Sequence, residues 1–246
     1  MDKFFEDNGY RVYKKVIDPA IAIRHLKHFH TLTAKHQDIQ PDEISSHLLQ
    51  RDAEWYSIIS SPELVNIAEE LLGNNIAHFY SRYFAKKPRT GREVPWHQDG
   101  AYYPLDPIRL CTLWLSLTDS RPDNGCLKVI PGTHKFDLHS LKEAKDGHSI
   151  LKRVMDITGI DTTGVVHIET QPGDVVVIHP NLLHSSEINQ SDRWRIGLAI
   201  RYIPTDVKIT WESLYGVPWD CAFHLRGNAL NEKTNNYLSA PEGAIL

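Results

Sequence analysis

A chain of 246 residues with 41% hydrophobic and 24% charged side chains is long and apolar enough to bury one full core. Its net charge of -4 leaves no basic excess, which argues against nucleic acid or an anionic membrane as partner and points to a small-molecule substrate. Three cysteines without a CxxC pair argue against a disulfide framework and a cysteine-rich zinc site. The acidic start "MDKFFEDNGYRVYKK" and the lack of a stretch near the roughly 20 apolar residues of a membrane span complete the expectation of a cytoplasmic protein.

Residues 1–75 read as a helical layer. In "DPAIAIRHLKHFHTLTAKH" the apolar positions Ile21, Leu26, Phe29 and Leu32 recur at roughly helical spacing, behind a cap at Asp18 and a first-turn proline at Pro19. A second helix is expected over "SSPELVNIAEELLG", with Ser61 as cap, Pro62 as start and Gly73 as stop. From residue 76 the period changes. "NIAHFYSRYFAK", "IRLCTLWLSLT", "GCLKVIP", "GVVHIET", "DVVVIHP" and "RWRIGLAIRYIP" are short, β-branched or aromatic, and bounded by Gly, Pro, Asn or Asp, the pattern of strands. Leu113, Leu115 and Leu117 alternate with Thr112, Trp114 and Ser116, so one face packs and the other lines something. "QPGD", residues 171–174, predicts a type II turn. Residues 211–246 read as a loop-rich cover whose Trp211 and Trp219 fold back over the sheet. The expectation is a single domain, mostly β with flanking helices: helical layer 1–75, barrel core 76–210 and C-terminal cover 211–246. Its architecture is a double-stranded β-helix, a jelly roll or cupin-like barrel.

The chemistry begins at "VPWHQDGAYYPLD". His97 and Asp99 lie two places apart, so on extended backbone an imidazole and a carboxylate face the same side and can meet one metal ion. The pair alone recurs by chance among 14 histidines, and a hydrogen-bonded turn explains it equally well. The best third ligand is His184, in "HPNLLHSSEINQSDRWRIGLAIRY"; His179, five residues earlier, is its rival and reads better as a buried histidine. Two histidines and one carboxylate on one face of an octahedron leave three positions open, the arrangement of non-haem Fe(II) oxygenases. Arg195 then acquires a purpose, since its planar fork suits the carboxylate of a keto acid that chelates the iron at its other end. Ser186 adds a hydroxyl to the same carboxylate. Arg193 competes with Arg195 and reads as solvated; Arg201, six places later, either faces the same side of the strand again or forms a surface ion pair, and Lys86 and Lys87 read as reaching solvent. Tyr80, Arg82, Tyr102, Tyr103 and Trp114 are candidates for lining the substrate mouth, at least half of them equally well read as core aromatics, with Arg82 suited to an acidic substrate group or to the co-substrate.

With these residues in place the sequence resembles the phytanoyl-CoA dioxygenase-like family of Fe(II)/2-oxoglutarate-dependent oxygenases. The resemblance rests on "PWHQD", on "DNGCLKVIPGTHK" at 123–135, on "QPGDVVVIHPNLLHSSEIN", on Arg195 eleven places after His184, and on the opening "FFEDNGYRVYKKVIDP". It implies iron held by His97, Asp99 and His184, 2-oxoglutarate anchored by Arg195 and Ser186, and O2 as oxidant, with release of succinate and CO2. Related halogenases carry a small residue in place of the carboxylate ligand. Asp99 is present here, which favours hydroxylation of an unactivated C–H bond. Desaturation, epoxidation, cyclisation and epimerisation start from the same triad and stay open, as do a non-oxidative cupin-like metalloenzyme and a silent small-molecule-binding barrel.

Overall fold

The computed structural model describes residues 2–143, 150–151, 153–210 and 222–244. Trp211 and Trp219, expected to fold back over the sheet, lie outside the described residues. Two antiparallel sheets carry the fold. The larger orders its six strands Tyr10–Tyr13, Val175–Ile178, Cys111–Ser116, Arg195–Pro204, Ile76–Lys86 and Phe223–Arg226. The smaller orders four strands Val94–His97, His184–Ser186, Leu127–Val129 and Val166–Ile168. Strands adjacent in space are remote in sequence because the chain passes repeatedly from one sheet to the other, which is the winding of a double-stranded β-helix.

The strand segments expected from residue 76 to 204 are all present. Three strands of the two main sheets escaped the sequence, one of them Phe223–Arg226, which pairs with Ile76–Lys86 inside the stretch expected to be a loop-rich cover. Tyr10–Tyr13 sits inside the expected helical layer and pairs with Val175–Ile178 at the edge of the large sheet; four residues carry too little periodicity to announce a strand. His184–Ser186 is entirely polar, and only its neighbours Val94–His97 and Leu127–Val129 make it a strand.

The helices behave as their end signals dictate, with two departures. Pro19–Lys35 starts where the Asp18 carboxylate accepts the Ala20 N–H at 2.7 Å. Its buried stripe is Ala22, His25, Phe29 and Leu32, whereas Ile21 is 37% exposed, so the apolar face begins one residue later than expected. Pro62–Leu72 has Ser61 at its cap position without a side-chain hydrogen bond, and ends at Gly73, φ 95°. Leu64, Val65 and Ala68 from this helix and Phe29 and Leu32 from the first cover the outer face of the large sheet, meeting Leu113, Leu115, Val177, Leu198 and Ile200.

The opposite face looks into the barrel. Trp114, Val176, Ile178, Ala199 and Phe84 from the large sheet pack against Val94, Leu127, Val129 and Ile168 from the small one. The period-2 alternation thus sorts each central strand of the large sheet into a helix-facing set and a barrel-facing set. The Gln171–Asp174 turn closes with an Asp174 N–H bond to the Gln171 carbonyl at 3.0 Å and Gly173 at φ 88°. No helix among the described residues is long and apolar enough to cross a membrane.

Gly197 shows how tightly the barrel interior is filled, because a Cβ there would lie 2.1 Å from the Trp114 indole. Gly197→Ala is therefore expected to destabilise the protein by about 1–3 kcal/mol, the usual cost of overpacking a filled core. A urea titration checks it: the midpoint should fall while the slope stays that of the wild type.

Candidate metal centre

His97 is the last residue of Val94–His97, Gln98 remains extended (φ -121°, ψ 124°), and Asp99 opens a one-turn 3-10 helix. The extended middle residue turns both flanking side chains to the same side. Gln98 is itself fully buried and fixed: its amide nitrogen donates to the carbonyls of Asn181, at 2.8 Å, and Asp137, at 3.3 Å, and its oxygen accepts the His139 N–H at 2.8 Å. His184 stands directly across from His97 in the ladder of the small sheet. The consequence is convergence: the two imidazole centroids are 3.9 Å apart, and the Asp99 Oδ1 lies 3.9 Å from His97 Nε2 and 4.0 Å from His184 Nε2.

Each imidazole is oriented by its own backbone. Nδ1 of His97 lies 2.9 Å from the Pro95 carbonyl and Nδ1 of His184 lies 2.9 Å from the Leu182 carbonyl. A carbonyl only accepts, so Nδ1 carries the proton and Nε2 keeps its lone pair toward Asp99. Burial, and for His97 next the neighbouring His184, lowers both pKa values, His97 to about 3, which keeps the rings neutral as ligands must be.

Asp99 is buried and would favour its neutral form for that reason alone, but Arg201, then the two histidines and Thr112, outweigh burial and hold its carboxyl below the ordinary carboxylate range. Arg201 Nη2 donates to Oδ1 at 3.2 Å and Oδ2 at 3.3 Å, and the Thr112 hydroxyl donates to Oδ2 at 2.5 Å. Thr112 and Arg201 are cross-strand partners in the large sheet. Arg201 thus lines the same cavity as Arg195, one of the two readings its place in the sequence allowed, and is no surface ion pair. It sits on the barrel face, its guanidinium carbon 5.5 Å from the centre of Tyr103 and 5.8 Å from those of Tyr80 and Phe84. The alternation Arg195, Gly197, Ala199, Arg201 along one strand places it there.

The donor set fits a divalent ion with open positions: two neutral imidazole nitrogens and one anionic oxygen, all buried, within 4.8 Å of one another. His179 lies elsewhere, against Phe5 and His134, its Nδ1 accepting the Asn181 N–H at 3.1 Å.

Arg195 lines the same cavity as His97, His184, Thr112 and Trp114. Its guanidinium donates to the carbonyls of Gly125, at 2.9 Å, and Phe84, at 3.0 Å, and to the Ser186 hydroxyl at 3.0 Å. These bonds hold the fork in one plane above Trp114, 5.6 Å from the ring centre. No carboxylate among the described residues is hydrogen-bonded to it, whereas Arg193 is exposed and paired with Asp123 at 2.9 Å. Of the residues expected at the mouth, Trp114 lines the cavity. Tyr102 sets its ring edge-on to His97 at 5.9 Å with its hydroxyl on the Arg153 carbonyl. Tyr80 lies beside Arg201 and Tyr103. Arg82 donates to the Asp42 carbonyl at 2.6 Å with its guanidinium over Phe84.

Removing Arg201 leaves a buried carboxylate without its cation, a change that costs about 3–5 kcal/mol in proteins generally. Arg201→Met should lower the metal-free protein's stability by that order in a chemical denaturation titration, whereas Arg193→Met should be nearly neutral because that pair is exposed.

A family model described as "Phytanoyl-CoA dioxygenase (PhyH)" matches residues 5–197. A "Probable phytanoyl-CoA dioxygenase" of Caenorhabditis elegans is 32% identical over 154 residues, 59% of this chain and 49% of the relative. The chain spans about half to two thirds of the length of the curated relatives it matches. Among solved structures, "non-heme monooxygenase; ThoJ apo" superposes with a TM-score of 0.79 at 22% identity, over 98% of this chain and 88% of the other. The "epimerase SnoN in complex with Fe3+, alpha ketoglutarate and nogalamycin RO" does so with a TM-score of 0.70 at 17% identity, over 92% and 94%.

Proposed function

The chain belongs to the phytanoyl-CoA dioxygenase family, and from that membership we propose that it is an Fe(II)- and 2-oxoglutarate-dependent oxygenase of the hydroxylating type, acting on a small molecule. The observation that carries the proposal is the pairing, in one cavity, of a two-histidine, one-carboxylate cluster with a buried arginine that has no acidic partner among the described residues. Arg195 keeps its charge, since burial pushes it down only to about 10. A buried, uncompensated guanidinium needs an anion, and a diacid reaching from the metal cluster supplies one.

His97, Asp99 and His184 would hold the iron, and Arg195 with Ser186 the distal carboxylate of 2-oxoglutarate. Iron held there would activate O2, whose four oxidising equivalents would be shared between decarboxylation of 2-oxoglutarate to succinate and CO2 and hydroxylation of an unactivated C–H bond of the substrate. The protein groups position and exclude. The backbone carbonyls of Pro95 and Leu182 keep both Nε2 atoms aimed at the ion. Arg201 and Thr112 occupy Asp99 so that it turns an oxygen to the ion in one fixed orientation. Trp114, Phe84 and Leu127 close the cavity walls against water. Asp99 as a third protein ligand leaves no place for a halide, which supports hydroxylation. At the mouth, Tyr80, Tyr102 and Trp114 would bound the substrate and Arg82 would meet an acidic group on it. The free, buried thiols of Cys111 and Cys126 support placing the enzyme in a reducing compartment, which we take to be the cytoplasm.

Anaerobic addition of Fe(II) and 2-oxoglutarate should produce a weak visible absorption band. Arg195→Ala should abolish the band or weaken 2-oxoglutarate binding severely; an unchanged band and affinity would exclude Arg195 as the anchor. With O2 present, a metabolite library screened for succinate release should reveal the substrate class. Hydroxylation of the compound so found should disappear in Asp99→Ala, and normal turnover in that variant would show that the carboxylate is dispensable.

A further inference from the structure

Lys86 ends the long strand Ile76–Lys86 and is the direct ladder partner of Arg195. Its side chain is wholly buried, contrary to the expectation that it reaches solvent. Nζ donates to two main-chain carbonyls, that of Arg92 and, at 3.4 Å, that of Ser186. Ser186 is therefore shared: its carbonyl receives Lys86 and its hydroxyl receives Arg195. No carboxylate among the described residues is bonded to Lys86. The acids on the surrounding elements are committed or exposed. Asp42 is bonded by Arg92 at 2.5 and 3.0 Å, Glu187 is held by Lys128 with half of its side chain in solvent, and Glu93 is exposed. The charge that dominates its surroundings is Arg195. Burial first, and Arg195 second, push the Lys86 ammonium down to about 6, with Asp42, Glu187 and Glu93 only partly opposing them. At neutral pH this end of the barrel thus holds one fixed positive charge and one amine that is largely neutral.

An anion seated on Arg195 changes that balance, because it cancels the repulsion and adds an attraction for a second positive charge. We propose that Lys86 is a positioning residue for the co-substrate, taking up one proton as the distal carboxylate of 2-oxoglutarate settles on Arg195 and Ser186, so that binding and protonation are coupled. The proposal rests on the oxygenase reading above. Lys86 does not line the cavity; it acts through the field it adds behind Ser186 and through the carbonyl it shares with that residue. The sign follows from linkage: a group protonated in the complex and largely neutral in the free protein makes affinity fall as pH rises above the free value, by up to about tenfold per pH unit.

The test is anaerobic calorimetry of 2-oxoglutarate binding to Fe(II)-saturated protein, in buffers of different ionisation enthalpy, between pH 6.5 and 8.5. Wild type should take up close to one proton at the alkaline end and bind more weakly as pH rises. Lys86→Met, with no amine, and Lys86→Arg, charged throughout, should bind with no uptake and with an affinity that is flat in pH; melting curves establish that each is folded. Absence of uptake in wild type, or equal uptake in the variants, overturns the role given to Lys86 while leaving 2-oxoglutarate binding intact. Failure of wild type to bind 2-oxoglutarate at all would instead bring down the oxygenase reading itself.

Discussion

The ion pair between Asp99 and Arg201 ties the two halves of this protein together. Asp99 hangs from the end of a strand in the small sheet, and Arg201 and Thr112 reach it from neighbouring strands of the large one. Moving a carboxylate and a guanidinium out of water is expensive, and their attraction repays the cost only when the remaining lone pairs and protons are also satisfied. Here they are: Thr112 takes one carboxylate oxygen, and the guanidinium lies among the faces of Tyr80, Phe84 and Tyr103. Conformational precision is what such a pair contributes. It fixes where the carboxylate points, and with it the spacing to the two imidazoles.

A second constraint works along the same barrel face. Arg195, Gly197, Ala199 and Arg201 alternate inward on one strand, against Lys86, Phe84, Arg82 and Tyr80 on its neighbour. The row grades from an arginine and a largely neutral lysine at one end, past a constriction where Trp114 fills the space above Gly197, to the arginine that holds Asp99. Nothing along it is acidic until Asp99. A cavity of that polarity suits anions.

The fold was legible in the sequence wherever a segment's pattern depended on itself. The period-2 runs from residue 76 onward, the Asp18–Pro19 and Pro62 helix starts and the Gly173 turn all appear as their residues require. The segments that escaped depend on partners. His184–Ser186 is a strand because Val94–His97 and Leu127–Val129 flank it, and Tyr10–Tyr13 because the edge of the large sheet was open to it. Ile21 was assigned to a buried face that in fact begins one residue later, since the helix's rotation is set by the sheet beneath it and not by its own composition.

Local chemistry by itself determined which residues were candidates for holding a metal and a co-substrate: a histidine and an aspartate spaced for one side of an extended segment, a later histidine, and an arginine beginning a strand. Only the tertiary structure decided what surrounds them. Lysine and arginine look like surface residues to any argument from composition, because their charge is costly to bury. Lys86 and Arg201 are buried because a closed barrel brings carbonyls, aromatic faces and a carboxylate to them from strands that lie far apart in the chain, and no short stretch of sequence records that meeting.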